Sequence, residues 1–172
     1  TYYLPALKKF SDVQVAVVVD PIPERREFFK GEFENCIQYP SLESKVSTET
    51  PGLIDRIEAA IITTPPDTHV YLAGRLLARD KPVLVEKPLA CTTDGIQDLI
   101  STESSSQGWL MMGFNYRYWQ PAIDLKNMLS KNPEIASVEM KFTSNYKRWN
   151  PISFISDTLD DLGTHVFDLV RY

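Results

Sequence analysis

Strongly apolar runs alternate with helical segments along the first two thirds of the chain, and this pattern leaves few folds open. The runs lie at Val13–Val19, Ala59–Thr64, Pro82–Glu86 and Trp109–Phe114, with a weaker one at Cys36–Tyr39. The clearest of them are apolar at nearly every position, which is typical of parallel strands covered on both faces. We therefore predict an α/β fold with a parallel sheet.

Helical spacing of apolar residues fills the intervals between these strands. Helices are predicted near residues 1–10 and at Pro23–Phe33, Pro66–Ala78, Thr92–Glu103 and Pro121–Leu129, with short helices or turns at Ser41–Ser47 and Thr50–Ile57. The helix near residue 1 has no cap, which suggests further sequence upstream.

The pattern changes after residue 133. Apolar and polar residues alternate over Ala136–Tyr146, which is typical of a strand with one wet face in an antiparallel sheet. A further helix is predicted from about Leu159. We place a domain boundary near residue 120, which gives domains 1–120 and 121–172.

Composition excludes several classes of partner. The chain has 18 basic and 23 acidic residues, a net charge of −5, so neither nucleic acid nor an anionic membrane is expected as the main partner. Its two cysteines cannot form a disulfide framework and have no neighbours that suggest a metal site. No apolar run reaches the length of a membrane span and no signal peptide is readable, so we expect a cytoplasmic protein.

Asp20 is the first candidate site residue, because it follows a buried strand. A carboxylate there can accept hydrogen bonds from a ribose diol and repels a 2′-phosphate, which favours NAD over NADP. The alternative is a turn-forming Asp before Pro21. The sequence has no G-x-G-x-x-G phosphate loop, because even the two glycines closest to each other, Gly108 and Gly113, are five positions apart.

The second candidate is the turn from Thr63 to His69, where a strand ends and a helix begins. Such a turn exposes backbone groups that can cradle a cofactor. The alternative is helix capping by Thr63 or Thr64, with proline at the first helical position. A histidine at position 69 is more often a surface or supporting residue than a catalyst.

The third candidate is the pair Glu86 and Lys87 at the end of another buried strand. Open α/β sheets bind their ligands at this edge. Pro88 restricts the backbone of Lys87. An ordinary ion pair at a strand end is the alternative.

The fourth candidate is the helical row formed by Asp161, His165 and Asp168, which fall on one face at i, i+4 and i+7. An apolar stripe of Leu162, Val166 and Leu169 adjoins it, so the polar row is expected to border the buried one and to line a cavity. The alternatives are a structural histidine and a capping box that begins at Thr158 and uses Asp161.

Aromatic residues cluster on either side of the predicted boundary. They are Tyr116, Tyr118, Trp119, Tyr146 and Trp149. They could stack on sugar or nicotinamide rings. Packing between sheet and helices is the more ordinary interpretation.

Together these stretches resemble the glucose–fructose oxidoreductase/inositol dehydrogenase (Gfo/Idh/MocA) family. The matching strings are LPALKKF, VAVVVDPIPERR, AAIITTPPDTHVYLAGRLLARDKPVLVEKPLA, MMGFNYRYWQPAI and DLGTHVFDLVRY, which cover almost the whole chain. The resemblance implies an NAD(P)-dependent oxidoreductase that acts on a sugar, cyclitol or related polyol. It also implies that domain 1–120 is a Rossmann dinucleotide-binding domain. Residues 121–172 would then begin a substrate domain, whose mostly antiparallel sheet mediates homo-oligomers.

Residue roles follow from the same resemblance. Asp20 would contact the adenosine ribose and Asn115 the carboxamide side of the nicotinamide. Glu86 and Lys87 would lie beside the nicotinamide. The remaining cofactor-lining residues would be Thr63, Thr64, Pro65, Pro66 and His69. Lys87, Asp161 and His165 would form the catalytic group.

Alcohol oxidation accounts for these residue types. Loss of hydride from a carbinol carbon requires loss of the hydroxyl proton, and histidine, which titrates at about 6.5, suits that task. His165 is therefore the candidate base, or the acid in the reducing direction. Lys87 would stabilise a developing alkoxide, and Asp161 would orient the hydroxyl or the imidazole.

Two departures from the family pattern shape the expectations. The family's first strand and glycine loop would lie upstream of LPALKKF, so strands 13–20 and 59–64 lack the neighbour between them. We expect a gap in the sheet or a chain truncated relative to its parent. The family's glycine-rich turn before Asp161 is replaced by residues without glycine.

That second departure leaves alternatives open. A non-catalytic descendant that binds a nucleotide or sugar is the main one, and a purely structural α/β module is another.

Overall fold

A computed structural model describes residues 3–33, 35–44, 52–131, 134, 137–143 and 162–172. The chain divides into two compact units, Thr1–Ala59 and Ala60–Tyr172. The domain boundary near residue 120, with a substrate domain beyond it, stays a prediction.

The first unit pairs two short parallel strands. It contains helix α1 (Tyr3–Leu7), strand β1 (Val17–Val19), helix α2 (Pro23–Glu32), strand β2 (Ile37–Tyr39) and a 3-10 turn (Leu53–Arg56). Val17 pairs with Ile37, and Val19 with Tyr39. Helix α2 begins at Pro23, which needs no hydrogen-bond partner for its nitrogen.

The described part of the second unit contains three parallel strands. They are β3 (Ala60–Ile62), β4 (Val83–Val85) and β5 (Leu110–Met112), in the order β3-β4-β5. The helices are α3 (His69–Leu77), α4 (Ile96–Ser105), α5 (Gln120–Leu129) and α6 (Thr164–Arg171), with 3-10 turns at Pro66–Thr68 and Asn115–Tyr118.

The core of this unit lies between its sheet and helix α3. Ala73 and Leu77 of α3 and Val83 and Val85 of β4 are fully buried. Helix α3 packs against β3, β4 and α4. Strand β4 lies in the centre of the sheet, which explains why a short valine-rich strand is so well covered.

The predicted α/β fold with parallel strands is confirmed. Strands β1 and β3 lie in separate sheets. The expected gap between them stays a prediction. The expectation that Val13–Val19 is buried on both faces is wrong, because β1 is only half-buried and Val13 is 46% exposed. Among the described residues, β1 pairs with β2 alone, so its other edge has no strand to cover it.

Helix α4 begins at Ile96, later than the predicted Thr92. Gly95 adopts φ 72°, a left-handed conformation that interrupts any helix begun before it. A Cβ at this position would also lie 3.1 Å from Cγ1 of Val70. Both observations favour glycine here.

The strand predicted at Ala136–Tyr146 is not formed over residues 137–143, which have no regular secondary structure. Strands exist through ladder hydrogen bonds, and no described segment pairs with this one. Alternating sequence alone could not supply that partner. The antiparallel sheet and its role in oligomers stay predictions.

Within the described residues, no helix has the length and apolar character needed to cross a bilayer.

Candidate functional site

Three of the predicted site stretches follow the ends of β3, β4 and β5. Ile62, Val85 and Met112 are in register across the sheet. The ladder continues one step further, because the N–H of Glu86 donates to the Ile62 carbonyl (2.9 Å) and the N–H of Gly113 to that of Val85 (2.7 Å). Thr63, Lys87 and Asn115 therefore follow adjacent parallel strands at the carboxyl end of the sheet, where α/β folds bind ligands.

The turn after β3 presents a mixed surface. Thr63 and Pro65 are exposed, whereas Pro66 is buried. No side chain caps the 3-10 turn, so the capping interpretation of Thr63 and Thr64 is wrong, although Pro66 does occupy the first helical position. The hydroxyl of Thr64 instead lies 2.6 Å from that of Thr68.

His69 lies beneath this turn and is 1% exposed. Its Nε2 lies 2.8 Å from the carbonyl oxygen of Thr64. Its Nδ1 lies 2.8 Å from the carbonyl oxygen of Pro88. The ring therefore reaches two backbone carbonyls, and a contact between His69 and a cofactor stays a prediction.

Glu86 and Lys87 form the turn after β4. Both are half-buried. The backbone N–H of Lys87 donates to the carboxylate of Glu86 at 3.1 Å. Glu86 thus stabilises the backbone of the residue predicted to act on the substrate.

His165 lies on helix α6 and packs against the segment that follows β5. Its side chain is 6% exposed. The ring of Tyr116 approaches it edge-on with 4.5 Å between centroids, and that of Phe114 with 6.2 Å. These aromatic residues flank Asn115 in sequence, so His165 is held close to the end of β5.

Asp168, also on α6, is the partner of Arg117. The Nε of Arg117 donates to both carboxylate oxygens, at 2.8 and 3.1 Å, and its terminal nitrogen makes a further short contact. Asp168 is 7% exposed, so its charge needs such a partner. These hydrogen bonds raise the pKa of Arg117 above its ordinary value.

Arg117 was not predicted from the sequence as a site residue. The signal was indirect: a carboxylate on the buried face of a helix requires a cation, but 51 residues separate the two. Arg117 also lies over the rings of Phe114 and Tyr172, each at 5.6 Å from the centroid. The pair connects α6, which carries His165, to the 3-10 turn that begins at Asn115.

The polar row on α6 is more deeply buried than expected. His165 and Asp168 are the buried residues of this helix, whereas Phe167 and Val170 are 63% and 55% exposed. The apolar stripe predicted at Leu162, Val166 and Leu169 is only half-buried. Asp161 and the proposed capping box around it lie outside the described residues.

Asp20 belongs to the first unit, at the end of β1. Its Oδ1 accepts the N–H of Ile22 at 2.8 Å, which confirms the turn-forming role. Its Oδ2 lies 3.7 Å from a nitrogen of Arg25. Arg26 also donates to the Asp20 backbone carbonyl at 2.5 Å. Two arginines therefore lie beside Asp20, the residue predicted to contact the adenosine ribose.

The aromatic cluster is only partly packed. Tyr116 contacts His165, Trp119 and Phe142 through its ring. Tyr118 and Trp119 are 66% and 60% exposed, so contacts among the described residues leave most of their surface uncovered. Tyr146 and Trp149 lie outside the described residues.

A shallow cavity of about 270 Å³ lies along β5 and the turn after it. Its lining residues are Leu110, Met111, Met112, Phe114, Arg117 and Tyr118. Its one charged group, Arg117, is already held by Asp168. The cavity therefore lacks the acid–base groups of the neighbouring strand ends.

Residues 1–114 match the model of a family described as "Oxidoreductase family, NAD-binding Rossmann fold" (GFO_IDH_MocA). An inositol 2-dehydrogenase of Rhizobium meliloti is 26% identical over 94% of this chain and 48% of its own length. A glucose-6-phosphate 3-dehydrogenase of Bacillus subtilis is 31% identical over 70% of this chain and 37% of its own length. The chain thus spans about half or less of these curated relatives.

Solved structures share the fold. An Agrobacterium radiobacter oxidoreductase, solved with NAD+, L-tartaric acid and magnesium, has a TM-score of 0.75 at 18% identity, over 98% of this chain and 49% of its own. A 3-ketoreductase from Actinomadura kijaniata, solved with NADP and TDP-benzene, has a TM-score of 0.60 at 22% identity, over 74% of this chain and 37% of its own.

Proposed function

The chain belongs to the Gfo/Idh/MocA oxidoreductase family, and from this premise we propose that its protein transfers hydride between a nicotinamide cofactor and a sugar, cyclitol or related polyol. NAD is the favoured cofactor and NADP the alternative. Lys87, Asp161 and His165 are the proposed catalytic residues.

One observation carries the proposal most directly. Lys87 and Asn115 follow two adjacent parallel strands, and His165 packs edge-on against Tyr116, the residue after Asn115. An amine, an amide and an imidazole thus belong to the same end of one small sheet. Lys87 and His165 are far apart in the sequence, so only the fold can bring each of them to the ends of neighbouring strands.

The strand ends also suit a dinucleotide. Three side chains are exposed at the carboxyl end of the sheet, those of Thr63, Pro65 and Asn115. The turn after β4 adds the half-buried Glu86 and Lys87. The hydroxyl of Thr63 and the amide of Asn115 can hydrogen-bond to a carboxamide or a ribose. A bound nicotinamide supplies the hydride donor or acceptor.

The protein's own residues transfer the hydroxyl proton and stabilise the charge on the reacting oxygen. His165 takes the hydroxyl proton during oxidation and returns it during reduction. The ammonium of Lys87 stabilises negative charge on the reacting oxygen. The aromatic rings of Phe114 and Tyr116 hold the imidazole and exclude water on one side.

The test is hydride transfer by the intact protein, with a panel of sugars and polyols. We expect Lys87→Ala and His165→Ala each to lower kcat by about 10²–10⁴-fold. Lys30→Ala is the matched control, because that side chain is 64% exposed on α2 and should leave kcat unchanged.

Two results would count against the proposal. Unchanged kcat in both site variants would remove the catalytic assignment. Nucleotide binding without turnover on any substrate of the panel would favour the non-catalytic descendant, which the absence of glycine before Asp161 also suggests.

A further inference from the structure

His69 occupies an unusual place beneath the strand ends. It is the first residue of α3, yet its ring contacts the carbonyls of Thr64 and Pro88, which follow β3 and β4 respectively. Both contacts measure 2.8 Å and the side chain is 1% exposed. One buried ring therefore spans the two turns that carry most of the predicted cofactor residues.

The chemistry of the contacts makes the ring a brace. Each partner is a carbonyl oxygen, which can only accept. A neutral ring therefore donates its one N–H to one of the two carbonyls and packs against the other, and only the imidazolium donates to both. A buried ring with fixed partners has little freedom to move, since interiors are close-packed. The separation of the two carbonyls is thus set by the width of the imidazole.

The Thr64 side of the brace is itself fixed. The hydroxyl of Thr68 donates to the Pro65 carbonyl at 2.7 Å, and the Thr68 N–H donates to the same oxygen at 3.0 Å. The contact between the Thr64 and Thr68 hydroxyls closes the turn further. This turn can therefore serve as the anchor and the Pro88 turn as the part that is held.

We propose that His69 is a positioning residue for Lys87, because it ties the Pro88 carbonyl to the braced Thr64 turn. Lys87 directly precedes Pro88, so a displacement of that carbonyl displaces the lysine backbone. The inference rests on the proposed function, in which the Lys87 ammonium contacts the reacting oxygen.

The kinetic test uses the intact protein and four variants. His69→Phe keeps a ring of similar size without hydrogen bonds, and His69→Gln keeps a donor should the first variant fold poorly. Because misplacement by about 1 Å can cost about 10²-fold in rate, we expect His69→Phe to lower kcat by about 10- to 100-fold, with a smaller loss for His69→Gln. In a Lys87→Ala background, His69→Phe should lower kcat no further.

Leu76→Ala is the structural control. Leu76 lies on the same helix, is 3% exposed and touches neither turn through a hydrogen bond in the described structure. It should destabilise α3 without a comparable loss of kcat. Two results would overturn the positioning role. One is a loss of kcat in Leu76→Ala as large as that in His69→Phe. The other is a further loss of kcat when His69→Phe is added to Lys87→Ala.

NMR gives a readout that does not depend on turnover. Comparison with His69→Phe assigns to His69 a ring N–H signal that is protected from exchange. We expect this signal, its loss in His69→Phe, and shifts in the amides of Lys87 and the Thr64 turn. A ring N–H that exchanges freely with water would contradict the brace.

The two proposals fail in different ways. If Lys87→Ala lowers kcat but His69→Phe and His69→Gln do not, only the positioning role is wrong. If Lys87→Ala leaves kcat unchanged, the proposed function fails and the positioning of Lys87 fails with it.

Discussion

In the first unit, 1–59, two parallel strands pair and every residue of β1 is half-buried, whereas in the second unit, 60–172, both outer residues of β4 are fully buried. The local sequences are similar, since β1 reads VVV and β4 reads VLV. The difference lies in their neighbours, because β4 is paired on both sides and covered by α3. Burial is thus a property of position in the sheet and not of the strand's own sequence.

The units also differ in their polar groups. Asp20 in the first unit is 23% exposed in its side chain and makes local contacts with Ile22 and Arg25. The side chain of Asp168 in the second unit is 5% exposed and binds an arginine 51 residues away. The first arrangement leaves a carboxylate accessible to a ligand, and the second stabilises tertiary structure.

The largest expected effect tests the Arg117–Asp168 pair. Arg117→Ala leaves the buried Asp168 carboxylate without its cation. We expect the free energy of unfolding to fall by about 2–3 kcal/mol. This is below the full cost of breaking a buried pair because Arg117 is 42% exposed and water can replace part of its contact. Urea unfolding measures the loss.

Arg171→Ala is the control, since Arg171 is exposed on the same helix. It should change the free energy of unfolding by less than about 0.5 kcal/mol. Adding Asp168→Asn to Arg117→Ala should recover part of the loss by removing the buried charge. Equal urea midpoints for Arg117→Ala and the parent would show that the pair does not stabilise the fold.

A matched pair of valines tests the difference in burial between the units. Val83→Ala removes two methyl groups from a 0% exposed site and should cost about 2 kcal/mol, whereas Val18→Ala, half-buried in β1, should cost less than about 1 kcal/mol. Amide hydrogen exchange in each unit measures these losses locally. Similar losses of stability at the two positions would mean that β1 is covered to the same extent as β4.

Cofactor preference tests the accessible carboxylate of the first unit. Asp20→Ser removes the charge that repels a 2′-phosphate and leaves Arg25 to attract it, so the preference for NADP over NAD should rise about tenfold, or about 1.4 kcal/mol. The ratio of kcat/KM for the two cofactors measures it. The double variant with Arg25→Ala should lose most of the gain, and an unchanged ratio in Asp20→Ser would argue against contact with the ribose.

The smallest effect concerns the two cysteines, one in each unit. Partial burial raises the pKa of the Cys36 thiol, so less thiolate is present at neutral pH. Iodoacetamide should therefore modify Cys36 a few-fold more slowly than the exposed Cys91, and its rate should rise only at higher pH. Single-thiol variants with Cys91→Ser or Cys36→Ser separate the two rates, and faster modification of Cys36 would be inconsistent with its burial.

Much of the fold was predictable from local pattern. Helix α2 was predicted at Pro23–Phe33 and is observed at Pro23–Glu32, and the five strands found among the described residues lie within the predicted runs. The errors have different causes: the conformation of Gly95 delays α4, which is a local effect, whereas residues 137–143 have no described strand to pair with, which is a tertiary one. The strand ends were also predictable from local pattern, so Thr63 and Lys87 were each placed after a strand, whereas Asn115 entered only through the family resemblance.

The sequence by itself determined the strand–helix alternation, because period and apolar content act over a few residues. Only the tertiary structure decided which polar groups are buried and what they bind. Nothing near Asp168 indicates Arg117, and nothing near His69 indicates the carbonyl of Pro88. Such partners are set by chain crossings over tens of residues, where desolvation makes each buried polar group depend on a neighbour that the fold alone provides.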